Sequence, residues 1–483
     1  MNNHNQLIPE IPLRTACASS DDESHWEEKE MYEVKEGDVM NIPTCAVHLG
    51  EAIRIKTISN PDYSISDFEE YEEFLSFLKK TYPKVHEVCQ VDRVNRYSVI
   101  YHWKCEASEG KPILLTAHYD VVPVENSSLD SWVQGPFSGE IKDGYIYGRG
   151  ALDDKNQVIS IMEALEERIG CGLKPRRDVY VAFGFDEEVG GEKGAKTIAS
   201  WFKEKNLEFE FVLDEGGAVI DGIVDGLDLP IGLIGVAEKG SSNIRILTSG
   251  DGGHSSMPTK NSAIGKLSTI ISNVEKNPMP AKLVPPVERM FKLMAPHMGK
   301  AGILLKHAKL AFPVLEKTLS KSATMNSMIR TTISFTLTGG GEAENILPKM
   351  AWANANIRIM PGNTLDEVMA HMKRVNKGID FEMKIMNREE GSEVSPYDSE
   401  SYRRIEKKIK QVFDGVEVMP YLMAGSTDSR KYSGLCDKIY RFSAVKMKQA
   451  DLDSIHGVNE RISIENLEQM VLFYRILLDE FLQ

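Results

Sequence analysis

Histidine, aspartate and glutamate recur along this chain in short clusters, each standing where an apolar run ends. His118 and Asp120 follow Ile113, Leu114 and Leu115, a short bounded run of the kind that forms a buried parallel strand. Two residues apart on an extended backbone they share a face, so the carboxylate can orient the imidazole or hold it in one tautomer. Asp153 and Asp154 open a segment in which Val158, Ile161, Met162 and Leu165 fall at helical spacing, which brings carboxylates to a helix N-terminus. Asp186, Glu187 and Glu188 follow the run VYVAFGF, Asp214 and Glu215 end another apolar run, and His456 stands near the C-terminus. Side chains of the adjacent Glu187 and Glu188 point in different directions, so one can ligate a metal while the other faces a substrate. A mixed nitrogen and oxygen set of this kind suits zinc, singly or as a pair, with Co2+ or Mn2+ as substitutes. A carboxylate shared by two ions would set them about 3.5–4 Å apart. His86, His102, His297, His307 and His371 lack such surroundings and read as structural.

The elements that must carry these clusters alternate. Helical spacing over 67–80 gives an amphipathic face of Phe68, Tyr71, Phe74 and Leu78. Strands are expected over 97–103, from 113, over 179–185 and over 209–213, with helices over 155–165 and 194–205 between them. This predicts an α/β fold, a mixed, mostly parallel sheet covered by helices on both faces, with the clusters at strand ends where open sheets keep their sites. After Gly240 the pattern changes to half-buried strands over 242–248, from 328 and from 351, with helices over 263–274 and 364–375 and a Met- and Lys-rich insertion over 290–325. The organisation expected is an acidic, mobile leader over 1–32, a first catalytic part over 33–240, an inserted α+β lid over 241–392 and a second catalytic part over 393–483. The insertion reads either as lid core or as the lining of an apolar acyl channel.

At 483 residues the chain exceeds one ordinary core. Its net charge of −15 argues against nucleic acid and against an anionic membrane as partner, since both are bound through excess Lys and Arg. The 6 cysteines include no CxxC pair, and the N-terminus lacks the basic-then-apolar order of a signal peptide, so a reduced, cytoplasmic setting is expected.

Taken together, HYDVVP from His118, GRGALDDK from Gly148, DEEVGG from Asp186, LDEGG from Leu213, GGHSSMP from Gly252 and IHG from Ile455 resemble the co-catalytic metallopeptidase family of glutamate carboxypeptidase, aminoacylase-1 and carboxypeptidase S. LDEGG, the stretch AEKGS from Ala237 and the long insertion are most similar to the carboxypeptidase S branch, which holds Gly-Xaa carboxypeptidases and N-acyl amino acid hydrolases. The resemblance implies a pair of Zn2+ ions in each subunit. His118 would bind one ion, Asp153 would bridge, Glu188 and His456 would bind the other, and Asp214, or alternatively Glu215, would complete the shell of the first. Asp120 would orient the site, Glu187 would be the general base, and the Asp153–Asp154 peptide would be cis. His254 would reach the scissile carbonyl, in many members from a neighbouring subunit, and Asn345 and Arg358 would hold the substrate carboxylate. The loop of Gly425, Ser426, Thr427 and Asp428 resembles the substrate-side Gly-rich loop. The implied activity is hydrolysis of an amide bond beside a free carboxylate, in a small peptide or in an N-acyl amino acid. A homodimer through the lid is the implied assembly. A binding protein without activity is the weaker reading, because every expected ligand and the base are present.

Overall fold

A computed structural model describes residues 42–224 and 226–483; the leader expected over 1–32 lies outside them. A ten-stranded sheet forms the centre. Its parallel heart runs Val179–Gly184, Ile113–His118, Val212–Asp214, Ile439–Arg441. Ser98–Trp103 and Gln90–Val94 extend one side antiparallel. Ile231–Glu238, Val219–Ile220 and Lys446–Met447 extend the other, and Glu417–Met423 pairs parallel with Ile231–Glu238. The sheet is mixed, and the site clusters sit at the ends of its parallel strands.

Strand alternation divides the core into two layers. Tyr101, Ile113, Leu115, Val181 and Phe183 face one cluster with helices Thr44–Arg54, Phe68–Thr81, Lys155–Gly170, Glu400–Val412 and Ile464–Asp479. Ile100, Leu114, Tyr180 and Ala182 face the other, against helix Ala195–Glu204. Each such large side chain buried contributes about 1.5–3 kcal/mol. In helix Phe68–Thr81 the expected apolar face is present, with Tyr71, Phe74 and Leu78 buried.

A second sheet is antiparallel, in the order Thr332–Gly339, Met350–Ile359, Gly240–Ser249, Glu382–Asn387. Helices Ala263–Lys276 and Leu365–Val375 cover one of its faces through Ile244, Ile246, Ala353, Ile357, Leu267, Ile270, Val368 and Met372. Thr364 and Glu367 close the start of the latter helix reciprocally as a capping box.

The insertion is placed differently from the lid-core reading of its sequence. Helices Pro285–Met294, Ala301–Lys306, Ala308–Leu319 and Ala323–Ile329 bury Val287, Phe291, Leu305, Leu315, Leu319 and Ile329 together with Ile231, Met419 and Leu422 of the central sheet. It does not pack in the core of the second sheet. Apolar composition told that the segment is buried on one side, not which sheet would cover it. No helix of the described residues is long and apolar enough to cross a membrane. Among the described residues Cys45, Cys89, Cys105 and Cys436 are free thiols.

Candidate metal and catalytic site

The parallel strands deliver three clusters to one place. His118, 1 % exposed, ends its strand with Nδ1 3.0 Å from the Asp120 carbonyl and Nε2 3.0 Å from Asp153 Oδ1. Asp153 Oδ2 lies 3.0 Å from His456 Nε2, which is also 3.2 Å from Glu188 Oε1. The two oxygens of Asp153 thus face two different histidines. Ligand atoms of His118, Asp153 and Glu188 lie within 4.8 Å of one another. The Asp153–Asp154 peptide is cis, as the family resemblance implied.

Asp120 organises the neighbouring turn. It is fully buried, and its two oxygens accept the backbone N–H groups of Glu187 (3.1 Å) and Glu188 (3.2 Å). Asp186, the first acid of that run, is turned away: it accepts the Tyr63 hydroxyl (2.6 Å) and the amides of Lys193 and Gly194. Gly191, at φ 64°, passes so close to Asp428 that a Cβ there would fall 2.0 Å from its Oδ1. Asp214 Oδ2 accepts the Ser429 amide at 2.8 Å.

The electrostatics are those of crowded acids. Burial first, then the charges of Asp428, Glu188 and Asp153, raise the Glu187 carboxyl well above its ordinary value, against the opposing pull of His118. Burial likewise raises Glu188 and brings Asp214 to about 6. Glu215 is raised well above the ordinary value by burial and by the charges of Asp153, Asp214, Asp154 and Glu187. Burial opposes charge on His118, but its bonds to Asp120 and Asp153 win and raise it well above its usual value. His456 is raised to about 10 by its bonds to Asp153 and Glu188. With His118 Nδ1 donating to the Asp120 carbonyl, Nε2 can face Asp153 only with a proton or a cation between them. The buried Glu188 Oε1 has no partner but His456 Nε2. Both observations fit divalent cations held by His118, Asp153, Glu188 and His456, making this a candidate metal site of nitrogen and oxygen donors.

Several positioning residues had no motif to announce them. Glu460, fully buried, receives the amides of Gly150 (3.0 Å), Leu152 (2.9 Å) and Asp153 (3.3 Å) and pairs with Arg149, whose Nη2 reaches the Gly457 carbonyl (3.0 Å). The pair ties the loop of Asp153 to the loop of His456. Removing one member leaves a buried charge alone, so Glu460→Ala is expected to cost about 3–5 kcal/mol in denaturant unfolding and to weaken metal binding in titration. Unchanged unfolding would show that the pair is replaceable. Glu238 does similar work for the Gly-rich loop, accepting the amide and hydroxyl of Thr427 (2.9 and 2.7 Å) and Arg441 Nε (2.8 Å). Only the sequence spacing of catalytic groups was readable; a lone acid serving backbone amides carries no spacing signal.

The other expected substrate residues are carried by the second sheet and by a ribbon beyond it. Gly253–His254 pairs with Ile346–Leu347 in a two-stranded ribbon beyond Ser249 and Met350, and the Asn345 carbonyl accepts the Ser255 amide, so His254 and Asn345 are neighbours and exposed. His254 Nδ1 takes the Ser256 amide and contacts its hydroxyl. Arg358 stands at the opposite end of strand Met350–Ile359, opposite Ser241, roughly 26 Å from Met350 by strand rise. Among the described residues its guanidinium has no hydrogen bond or ion pair, leaving it available for a carboxylate.

Residues 114–480 match Peptidase family M20/M25/M40. A probable carboxypeptidase S-like 2 from Dictyostelium discoideum is 38% identical, over 89% of this chain and 83% of its own. The N-fatty-acyl-amino acid synthase/hydrolase PM20D1 of Xenopus tropicalis is 38% identical, over 88% and 83%. The crystal structure of an M20 family metallo-carboxypeptidase from Sulfolobus solfataricus superposes with a TM-score of 0.67 at 18% identity, covering 91% of this chain and 99% of that one.

Proposed function

Since the chain belongs to peptidase family M20/M25/M40, we propose that it hydrolyses an amide bond beside a free carboxylate, as a carboxypeptidase or dipeptidase of the Gly-Xaa type. The observation that carries this reading is Asp153, with one oxygen on His118 and the other on His456. It is the arrangement that lets one carboxylate serve two ions. His118, Asp153, Glu188 and His456 would hold a pair of Zn2+ ions, with Asp214 as the remaining ligand of the His118 ion and Glu215 its alternative. Asp214, buried at the end of its strand with one oxygen held by the Ser429 amide, is the preferred of the two. Bound there, the ions would supply Lewis-acid activation of water and of the amide carbonyl.

The chain's own residues do the rest. Asp120 holds His118 and the turn of Glu187 and Glu188 in register. Glu187 takes a proton from the attacking water at its carboxylate and returns it to the leaving amine nitrogen. Arg358 receives the substrate carboxylate through its planar fork. His254, with Asn345 beside it, donates toward the carbonyl oxygen as charge develops there, and in this reading the partner of a homodimer supplies both. The free thiols of Cys45, Cys89, Cys105 and Cys436 support a cytoplasmic location, which subcellular fractionation would check.

Similarity to the Xenopus tropicalis enzyme favours a second reading, an N-acyl amino acid amidohydrolase, which needs the same ions, base and arginine. A hydrolysis screen with zinc-loaded protein tests both. Chelator-sensitive cleavage of Gly-Leu-type dipeptides alone supports the peptidase; preference for long-chain N-acyl amino acids supports the amidohydrolase. Metal-bound protein that cleaves neither would sink both.

A further inference from the structure

The whole-chain charge of −15 conceals a local reversal on the insertion. Residues 300–321 carry five lysines, Lys300, Lys306, Lys309, Lys317 and Lys321, against the single carboxylate of Glu316, and that carboxylate is engaged by Arg330. All five lysines are exposed, and among the described residues none forms an ion pair. Helices Ala301–Lys306 and Ala308–Leu319 turn Leu305, Ala308, Leu315 and Leu319 inward. On the side away from these, Ile303 is 70% exposed, Leu310 87% and Val314 61%.

A surface helix ordinarily puts its charges where these three stand. Single exposed apolar residues need no explanation, but here three of the chain's most exposed ones share a short stretch ringed by lysine. We infer that the outer face of these two helices docks on an anionic lipid bilayer. Ile303, Leu310 and Val314 enter the boundary between headgroups and acyl chains, while the lysine stems lie along them and carry the ammonium groups to lipid phosphates and carboxylates. A second copy fits this face poorly, because a two-fold contact would press the lysine ring against itself. The face is also mechanically connected to the rest of the molecule. The insertion ends where Lys239 Nζ donates to the carbonyls of Ser327 and Arg330, both at 3.0 Å, and Lys239 adjoins Glu238, which holds the Gly-rich loop.

The test is sedimentation of the full chain with vesicles of phosphatidylcholine alone and with about a quarter phosphatidylserine. The wild type is expected to bind the anionic vesicles about tenfold or more better than the neutral ones, less so at high salt. The triple variant Ile303→Ser, Leu310→Ser, Val314→Ser is expected to lose about tenfold of that binding, and Lys306→Gln with Lys309→Gln several-fold, both with unchanged circular dichroism. Absence of wild-type binding overturns the inference, as does binding that both variants retain. Should vesicle binding be absent while the serine variant changes the oligomeric state in light scattering, the face is a contact between copies and the bilayer is excluded.

Discussion

Glu187→Gln is expected to lower kcat/KM by about a thousandfold, near 4 kcal/mol of transition-state stabilisation, while the purified protein retains its metal. The separation follows from geometry. Both amides of the turn are held by Asp120, so the backbone at Glu187 and Glu188 does not depend on the Glu187 side chain. The close set of donor atoms comprises His118, Asp153 and Glu188, with His456 on the other oxygen of Asp153, and Glu187 stands outside it. Burial raises its carboxyl well above the ordinary value, so it holds a transferred proton more readily than an exposed glutamate would. Glutamine keeps the volume and the polarity but cannot accept the proton. Elemental analysis beside steady-state kinetics reads both halves of the prediction. Turnover above about a tenth of wild type would remove Glu187 as the base, and loss of metal would make it a ligand.

The same elemental analysis sorts the acids around it. Glu188→Gln is expected to lose one of two ions, since Glu188 Oε1 faces His456 and has no other partner. Asp214→Asn is expected to lose the ion on His118, whereas Glu215→Gln keeps both; the reverse result would move the ligand one residue along.

The parts of the fold visible in the sequence are those governed by short-range pattern. The strand of Ile113 and the strand of Val179 are nearly continuous apolar runs because both faces of the central sheet are covered, and an imidazole or an acid stands at or just past the end of each. Pattern failed where the environment was not local. Glu417–Met423 contains Pro420, which argues against a strand, yet it pairs only with Ile231–Glu238 and so has a free side on which a missing N–H costs nothing. Gln90–Val94 is a mostly exposed edge with no alternation to read. The insertion's partner sheet and the roles of Glu460 and Glu238 depend on contacts across hundreds of residues, and the local charge reversal over 300–321 vanishes in the whole-chain sum.

The distance between His254 and Arg358 leads to the second large effect. A carboxylate on Arg358 and a carbonyl one residue away are separated by about 4 Å along an extended substrate. His254 lies past the Met350 end of a strand whose other end carries Arg358, roughly 26 Å of extended chain apart. Within one protomer the two cannot grip one small substrate, whereas a second copy can bring its ribbon, with His254 and Asn345, to the Arg358 end. Separately purified Glu187→Gln and His254→Ala proteins should each be nearly inactive. Mixed and allowed to exchange subunits, they should recover about a quarter of wild-type activity. Random pairing makes half the dimers mixed, and in each of those one site combines an intact Glu187 with the partner's intact histidine. An inactive mixture whose subunits demonstrably exchange would mean that His254 serves no site in trans. A fully active wild-type monomer would rule out the dimer reading while leaving the metal cluster and its base in place, since those residues all belong to one chain.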